Sequence, residues 1–366
     1  MTTADIIVIG GGIAGISAGA RCAEGGAKTI VLEREAHIGT HSTARSAAVY
    51  IANYGNKTLR AINAVSGPIL ADPEGIAEIS LLSPRGVLTI ADADEMDDLN
   101  AMLDGSTGLH MLSAAEAVSL MPILRGDKIA AAAFEENAQD IDVDLMLNGF
   151  AKMLRRHGGE VVTSAEVMTI TPDENWEITT KTNTYTAPIV INATGAWGDV
   201  IADMAGIRKV GLQPMRRSAA ILPMPNGMNV SNWPLVASAS ERWYSKPMGG
   251  KLMVSPADED PVSPHDAWPD DMVLAEGLDR FEQATTYAVT RVERSWAGLR
   301  SFVADRTLVA GFAPDAPGFF WLVGQGGYGM QTAPAMSQLA ADLCLGNAPH
   351  MPDWVVTALS PARFSN

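Results

Sequence analysis

Several short apolar runs have the pattern of strands that are buried on both faces, because they are continuous and rich in β-branched residues. IIVIG ends at Gly10 and TIVLE ends at Glu33, and the small residues over 16–23 between them predict a helix. Three similar runs come later, at residues 189–192, 308–311 and 319–323. These runs predict one sheet assembled from distant parts of the chain.

The middle of the chain instead alternates apolar and polar positions. RRSAAILP, WPLVAS, RWYSKP and KLMVSPA, all within residues 207–300, are separated by turn residues and predict an antiparallel sheet with one helix over 272–288. We therefore predict an α/β (α+β) chain, in which a Rossmann-type domain carries an inserted domain built on a large, mostly antiparallel sheet. The predicted division is 1–80, 142–206 and 301–366 for the first domain, and 81–141 and 207–300 for the second.

The turn after the first strand has the spacing G-x-G-x-x-G, at Gly10, Gly12 and Gly15. These glycines permit a tight turn, a close approach of the backbone to a pyrophosphate and close packing of helix on strand. The N-terminus of the helix would then face the phosphates. Glu33 can accept hydrogen bonds from a ribose diol and would repel a 2′-phosphate. Strand, turn, helix and acid together predict a dinucleotide site that disfavours NADP.

The hydroxyl-rich segment THSTARSAA (40–48) follows the second strand and leads into a helix-like stretch. Ser42, Thr43 and Ser46 offer hydroxyl groups and Arg45 a cation, which suits the second phosphate and ribityl chain of an extended FAD. The same residues suit an ordinary helix-capping loop. The segment taken alone fits both interpretations.

Composition narrows the possible partners. The formal net charge of −16 argues against nucleic acid or an anionic membrane, and an acidic surface also simply aids solubility. The two cysteines, Cys22 and Cys344, and the six histidines show no metal or redox spacing, so we predict no metal site. No apolar stretch is long enough to span a bilayer and no leader pattern begins the chain, so we expect a cytoplasmic protein.

Ordered motifs along the full length resemble the glycine oxidase and D-amino acid oxidase group of FAD-dependent amine oxidoreductases, and within it the D-arginine dehydrogenases most. The motifs are HSTARSAA (41–48), LLSPR (81–85), DID (140–142), GAW (195–197), GLQPMRRSA (211–219), YSKP (244–247), SPADEDPV (255–262), WAGLRSFVAD (296–305), GQGGYGMQT (324–332) and LSPARF (359–364). The resemblance implies non-covalent FAD. It also implies oxidation of an amino acid to an imino acid, by hydride transfer from Cα to flavin N5, and hydrolysis by water to a 2-oxo acid and ammonia.

The resemblance also implies the site residues. Arg300 would clamp the substrate carboxylate, with help from Tyr54, Tyr244 and Arg217, and the carbonyl of Gly327 would accept a hydrogen bond from the amine. A structural salt bridge or a core position is the alternative for each side chain, and Arg216 beside Arg217 would point to the opposite sheet face. The residues expected to bind FAD are Gly10, Gly12, Ala14, Gly15, Glu33, Arg34, His41, Ser42, Thr43, Ala48, Val167, Gly195, Trp197, Gly329, Met330, Gln331 and Thr332.

Substrate preference depends on position 87. D-arginine dehydrogenases have a carboxylate two residues beyond the motif LLSPR, where this chain has Val87. Losing a buried acid removes the partner of a cationic side chain. We therefore expect hydrophobic D-amino acids, or a secondary amine such as a proline derivative, in a pocket walled by Val49, Ile51, Val87 and Leu235.

Other activities stay open at this point. They are a glycine, sarcosine or imino acid oxidase, a flavoprotein subunit of a larger electron-transfer complex, and an α-hydroxy acid oxidoreductase, which would need a catalytic histidine beside the flavin. The electron acceptor is equally open between oxygen, a quinone and an electron-transfer protein. The role of Tyr328 is also open.

Overall fold

The computed structural model describes residues 1–224 and 227–364. The strands in this part of the chain are β1 (Thr2–Thr3), β2 (Ile6–Ile9), β3 (Thr29–Leu32), β4 (Val49–Tyr50), β5 (Leu82–Pro84), β6 (Val87–Ala91), β7 (His110–Leu112), β8 (Ala131–Glu135), β9 (Gln139–Ile141), β10 (Glu160–Val162), β11 (Val167–Pro172), β12 (Trp176–Thr180), β13 (Thr184–Ala187), β14 (Ile189–Asn192), β15 (Gln213–Leu222), β16 (Leu235–Ser238), β17 (Tyr244–Met248), β18 (Lys251–Ser255), β19 (Asp260–Pro261), β20 (Arg294–Phe302), β21 (Val309–Phe312) and β22 (Phe319–Val323). The helices are α1 (Ile13–Glu24), α2 (Lys57–Ala71), α3 (Met96–Leu103), α4 (Ala114–Leu120), α5 (Val143–Arg156), α6 (Gly198–Met204), α7 (Asp271–Ala284), α8 (Gly329–Cys344) and α9 (Asp353–Leu359).

A six-stranded sheet carries the predicted buried strands. Its order is β10-β3-β2-β14-β22-β21, and every neighbouring pair is parallel except β21 with β22. Alternate residues of β2 face different layers. Ile6 and Val8 pack with the helical layer of α1, α5 and α8, whereas Ile7 and Ile9 pack toward the small sheet β1-β13-β12-β11. Because both faces are covered, these strands read as continuous apolar runs.

A nine-stranded sheet forms the second large layer. Its order is β19-β15-β18-β17-β16-β6-β8-β7, with β20 also paired to β15, and only β16 with β6 is parallel. Its outer face packs on α4 and α7, where Leu88 and Val236 are buried with Phe281. Val87 and Leu235, one residue earlier on each strand, therefore face the opposite side. The predicted mostly antiparallel sheet is confirmed.

Two local predictions need correction. The hydroxyl-rich loop does not lead into a helix: residues 40–45 form successive turns, Ala48 has a φ of +50°, outside the α-helical region, and the strand β4 follows. The next helix, α2, begins only at Lys57, after Asn56 accepts a hydrogen bond from the Leu59 N–H group. Helix α7 ends at Ala284 rather than at residue 288, because the chain turns extended at Thr285.

The strands of the two large sheets come from different parts of the chain. Strands of the six-stranded sheet lie between residues 6 and 323, and those of the nine-stranded sheet lie within 87–135 and 213–302. We keep the predicted division into two domains as a proposal. Among the residues described, no helix has the length and apolar character needed to cross a bilayer.

Gly277 gives a test of how α7 packs on the sheet. Alanine usually stabilises a helix over glycine by about 1 kcal/mol. A Cβ at position 277, however, would lie 2.2 Å from the Cβ atom of Pro256. We expect Gly277→Ala to lower the free energy of unfolding by roughly 1–3 kcal/mol, measured by urea denaturation. Glu276→Ala, at an exposed position of the same helix, is the control and should change stability little; a more stable Gly277→Ala protein would contradict this packing.

Candidate active site

The glycine turn after β2 is built as the fingerprint requires. Gly10 has a φ of +111°, and a Cβ on Gly15 would lie 1.9 Å from the Gly10 carbonyl oxygen, so α1 can approach β2 only because residue 15 is glycine. Glu33 is buried beside this turn. Its carboxylate accepts hydrogen bonds from the N–H groups of Gly11 (2.6 Å) and Glu35 (2.8 Å). The acid therefore holds the turn as well as facing the cleft.

A cleft of about 320 Å³ runs from this turn toward the nine-stranded sheet. Most of the residues predicted to bind a cofactor line it: Gly10, Gly12, Ala14, Glu33, Arg34, His41, Ser42, Thr43, Val167, Gly195, Trp197, Gly329 and Met330.

Four predicted cofactor residues lie elsewhere. Gly15 lies beneath the turn. Ala48 and Gln331 line a second cavity, and the Gln331 Oε1 atom accepts a hydrogen bond of 3.1 Å from the Ile51 N–H group. Thr332 is buried in α8 and donates to the Tyr328 carbonyl oxygen. Gln331 thus ties the start of α8 to the segment after β4, whereas the Thr332 hydroxyl bonds within the first turn of its own helix.

A polar cluster closes the nucleotide end of the cleft. The Arg34 guanidinium lies 3.9 Å from the centre of a Trp197 ring, a cation–π contact. His41 Nε2 lies 2.9 Å from a Glu35 oxygen, and Arg34 donates to the same oxygen. The hydrogen bond from His41, together with Arg34, lowers the pKa of Glu35 despite its partial burial. Sequence reasoning missed Glu35, although it follows Glu33 and Arg34 directly.

The second cavity has a volume of about 470 Å³ and meets the first at a shared wall. Residues that line both are Ser46, Ala47, Arg217, Tyr244, Arg300, Gly327 and Met330. Four of the five residues predicted to be catalytic are in this wall, and the fifth, Tyr54, lines the second cavity beside it. A ligand in the second cavity can therefore touch whatever fills the end of the first.

Sheet register explains why the two predicted arginines lie together. Arg300 on β20 is opposite Met215 on β15, and Arg217 is opposite Gly298, so Arg217 and Arg300 are on one face. Arg216 and Leu299 point to the other face, as the sequence predicted for Arg216.

The Arg300 guanidinium lies against the backbone of the glycine corner, which is the segment 324–328 between β22 and α8. A Cβ on Gly327 would be 2.8 Å from Arg300 Cζ, so only glycine leaves room for the guanidinium. Arg300 Nη1 lies 3.3 Å from the Tyr54 hydroxyl oxygen. Burial acts to lower the pKa of Arg300, but the phenols of Tyr54 and Tyr244 outweigh it and the pKa is raised. Burial raises the pKa of Tyr54. The wall therefore holds a cation beside a neutral phenol.

Arg217 is partly committed to an ion pair. Its Nη2 atom donates to Glu259 (2.9 Å), which also pairs with Arg306. Burial acts to raise the pKa of Glu259, but Arg306 and Arg217 outweigh it and the pKa is lowered. Arg216 pairs instead with Asp260 at 2.5 Å. Sequence reasoning missed these acids, although the run ADED (257–260) has an acid for each arginine.

The second cavity combines apolar walls with buried and exposed charges. Val49, Ile51, Val87 and Leu235, the predicted walls, all line it. The charged lining residues that sequence reasoning missed are Arg60, Asp98, Glu135 and Glu241. Tyr328 is 7% exposed, and its ring centre lies 4.8 Å from that of Tyr54, so it covers the cavity rather than packing outward.

Comparison with known proteins identifies the family. The family model described as FAD dependent oxidoreductase (DAO) matches residues 5–343. The chain belongs to the DAO family.

Relatives of this DAO family chain are distant in sequence but similar in fold. The FAD-dependent oxidoreductase domain-containing protein 1 of Xenopus laevis is 24% identical over 93% of this chain and 79% of its own. Glycine oxidase from Geobacillus kaustophilus has a TM-score of 0.85 at 20% identity, covering 99% of both chains. L-proline dehydrogenase from P. horikoshii has a TM-score of 0.85 at 22% identity, covering 100% of this chain and 98% of its own. The predicted fold class and the FAD cofactor are confirmed, whereas the likeness to D-arginine dehydrogenases stays a prediction.

The cleft of this DAO family protein fits FAD. The turn at Gly10 and Gly15 packs backbone on backbone with no room for a side chain, and α1 begins at the cleft after Gly12, which has no side chain to cap its N–H groups. Thr43 Oγ1 accepts from the Ile13 N–H group (3.1 Å), so a hydroxyl lies beside the predicted phosphate position. Helix α8 also begins at the cleft without a side-chain cap. Its first N–H groups have no partner within the helix and suit a flavin edge that gains negative charge.

Gly15 tests the FAD site. We expect Gly15→Ala to purify with less than about a tenth of the wild-type FAD, because its Cβ would push α1 off the turn that faces the pyrophosphate. Flavin absorbance against protein concentration measures this. Gly26→Ala is the control for general destabilisation, since Gly26 follows the same helix, its φ of +94° strains an alanine, and no atom lies near its Cβ position. Equal flavin content in both variants would contradict the assigned turn.

Proposed function

We propose that the protein oxidises the Cα–N bond of an amino acid, with a D-amino acid as the expected substrate, and releases an imino acid that water hydrolyses to a 2-oxo acid and ammonia. The observation that carries this proposal is Arg300, held between Gly327 and Tyr54 in the wall shared by the two cavities. FAD, held non-covalently, would accept the hydride that leaves Cα, and the proton that the amine loses as the C=N bond forms would pass to solvent.

Arg300 orients the substrate by its carboxylate. A guanidinium presents two parallel N–H donors to a carboxylate, which fixes direction as well as position. The Tyr54 and Tyr244 hydroxyls add donors on either side. Holding the carboxylate at the shared wall places Cα where the cleft and the cavity meet, so orientation supplies much of the rate acceleration.

The backbone of the glycine corner would bind the amine. The Gly327 carbonyl oxygen would accept a hydrogen bond from an N–H of the amine, without any titratable side chain. Because the amine donates in this bond, the lone pair on its nitrogen stays free once the amine is neutral. His41 lines only the nucleotide cleft and is hydrogen bonded to Glu35. That placement disfavours a mechanism in which this histidine deprotonates an α-hydroxy acid. We therefore favour an amine donor.

The direct experiment is anaerobic reduction of the protein-bound flavin by a panel of D- and L-amino acids, glycine, sarcosine, proline and 2-hydroxy acids, followed by admission of air. We expect bleaching by at least one amino acid and none by the corresponding 2-hydroxy acid. Glycine, sarcosine or proline as the best donor would select the secondary or small-amine alternative. Return of colour in air identifies oxygen as an acceptor. Reduction by 2-hydroxy acids alone would contradict the proposal.

Arg300→Lys tests whether the paired N–H donors of the guanidinium are needed in addition to its positive charge. Lysine keeps the charge but loses the paired donors, so we expect kcat/KM to fall roughly 10²–10⁴-fold, as losing one or two charge-assisted hydrogen bonds implies. FAD content should stay at the wild-type level. Arg294→Lys, at an exposed position of the same strand, is the control. Equal kcat/KM values in Arg300→Lys and wild type would rule out the clamp.

Carboxylate binding should depend little on pH in the alkaline range. Arg300 stays cationic, and burial keeps the Tyr54 phenol protonated above its ordinary pKa of about 10. We expect the Kd of a carboxylate ligand without an amine, read from the flavin spectrum, to stay constant between about pH 7 and pH 9.5. Tyr54→Phe should weaken binding by a constant factor over this range, whereas a Kd that rises from pH 8 would contradict the assignment.

A further inference from the structure

Glu135 is a buried carboxylate in the wall of the second cavity. It is the last residue of β8 and is 5% exposed. Its Oε1 atom accepts hydrogen bonds from the N–H groups of Ala52 (3.0 Å) and Asn53 (3.4 Å). Its Oε2 atom accepts no hydrogen bond within residues 1–224 and 227–364, and no basic side chain there forms a salt bridge with it. A buried carboxylate that lacks a cation is costly.

Strand register places this acid beside position 87. Glu135 on β8 lies directly opposite Val87 on β6, and Val87 in turn pairs with Leu235 on β16. Directly opposed residues project to the same face, with Cβ atoms about 5 Å apart. Val87 and Leu235 line the cavity, so the Glu135 side chain extends into the same space. The acid absent from position 87 is thus present on the adjacent strand.

We propose that Glu135 binds a cationic group at the end of the substrate side chain, so that basic amino acids are the preferred substrate class. This rests on the proposed function, since Arg300 holds the carboxylate at the other end. Val49, Ile51, Val87 and Leu235 then contact the methylene stem, as apolar walls do around long cationic side chains. The proposal replaces the expected apolar preference, because that expectation assumed that Val87 leaves the cavity without an acid.

The exposed charges agree with a cationic ligand. Asp98 and Glu241 line the same cavity and are exposed, so they lie where it meets solvent and add negative potential there. Three cations also line the cavity. Arg60 donates to the carbonyl oxygens of Gly55 and Asp104, Arg217 pairs with Glu259, and Arg300 is in the wall shared with the cleft. Glu135 remains the acid that is both buried and free to accept.

Glu135→Gln removes the charge but keeps an oxygen for the Ala52 and Asn53 N–H groups. Anaerobic flavin reduction by arginine and lysine is compared with reduction by leucine and methionine, using the D- and L-enantiomers of each. We expect wild type to favour arginine or lysine, and Glu135→Gln to lower that preference roughly 10–100-fold, the range for one charge-assisted hydrogen bond. Glu136→Gln, at the exposed neighbouring position, should keep the wild-type preference.

Two further measurements separate ligand contact from a structural role. The Kd values of 5-guanidinopentanoate and heptanoate, two carboxylates that lack the α-amine, are read from the flavin spectrum. In Glu135→Gln the binding of 5-guanidinopentanoate should weaken, whereas the binding of heptanoate should not. Adding Val87→Glu to Glu135→Gln returns an acid to the facing strand and should restore part of the preference for arginine or lysine. Wild type that favours leucine, with Glu135→Gln unchanged, would overturn this inference and leave the proposed function standing. Flavin that no amino acid reduces would overturn both.

Discussion

The contact between the Arg300 guanidinium and the Gly327 backbone is the constraint on which the rest of the site depends. It lies where the nucleotide cleft and the second cavity share a wall, so under the proposed function it would set how close a substrate carboxylate comes to the cofactor. Any side chain at residue 327 would occupy the space of the guanidinium. The glycine-rich corner between β22 and α8 therefore accommodates the half-buried Arg300 cation as well as making a tight turn.

Two sheets with different burial make this contact possible. The six-stranded sheet is covered on both faces and holds the glycine turn and the start of α8 in fixed positions. The nine-stranded sheet packs its outer face on helices and leaves its inner face to line the cavity. Arg217, Tyr244 and Arg300 come from strands of that inner face, so their spacing is set by sheet register rather than by loops.

The sequence was informative where local patterns decide the structure. Continuous apolar runs predicted the strands, and the glycine spacing with Glu33 predicted the nucleotide turn. The hydroxyl-rich loop over 40–48 was expected to lead into a helix, but its conformation depends on distant contacts: Ser42 and Arg45 donate to the carbonyl oxygens of Leu299 and Ala297, which are remote in sequence. Glu135 was missed for the same reason: its position opposite Val87 follows from the pairing of β6 with β8 across 48 residues.

The most direct test of the central claim is the rate constant of anaerobic flavin reduction by an amino acid that carries deuterium at Cα. Hydride transfer from a Cα held at the shared wall predicts slower reduction with the α-deuterated substrate, and one 2-oxo acid formed for each flavin reduced. The account would be contradicted if the deuterated and the undeuterated substrate reduced the flavin at equal rates, both in wild type and in Arg300→Lys, and if no 2-oxo acid formed.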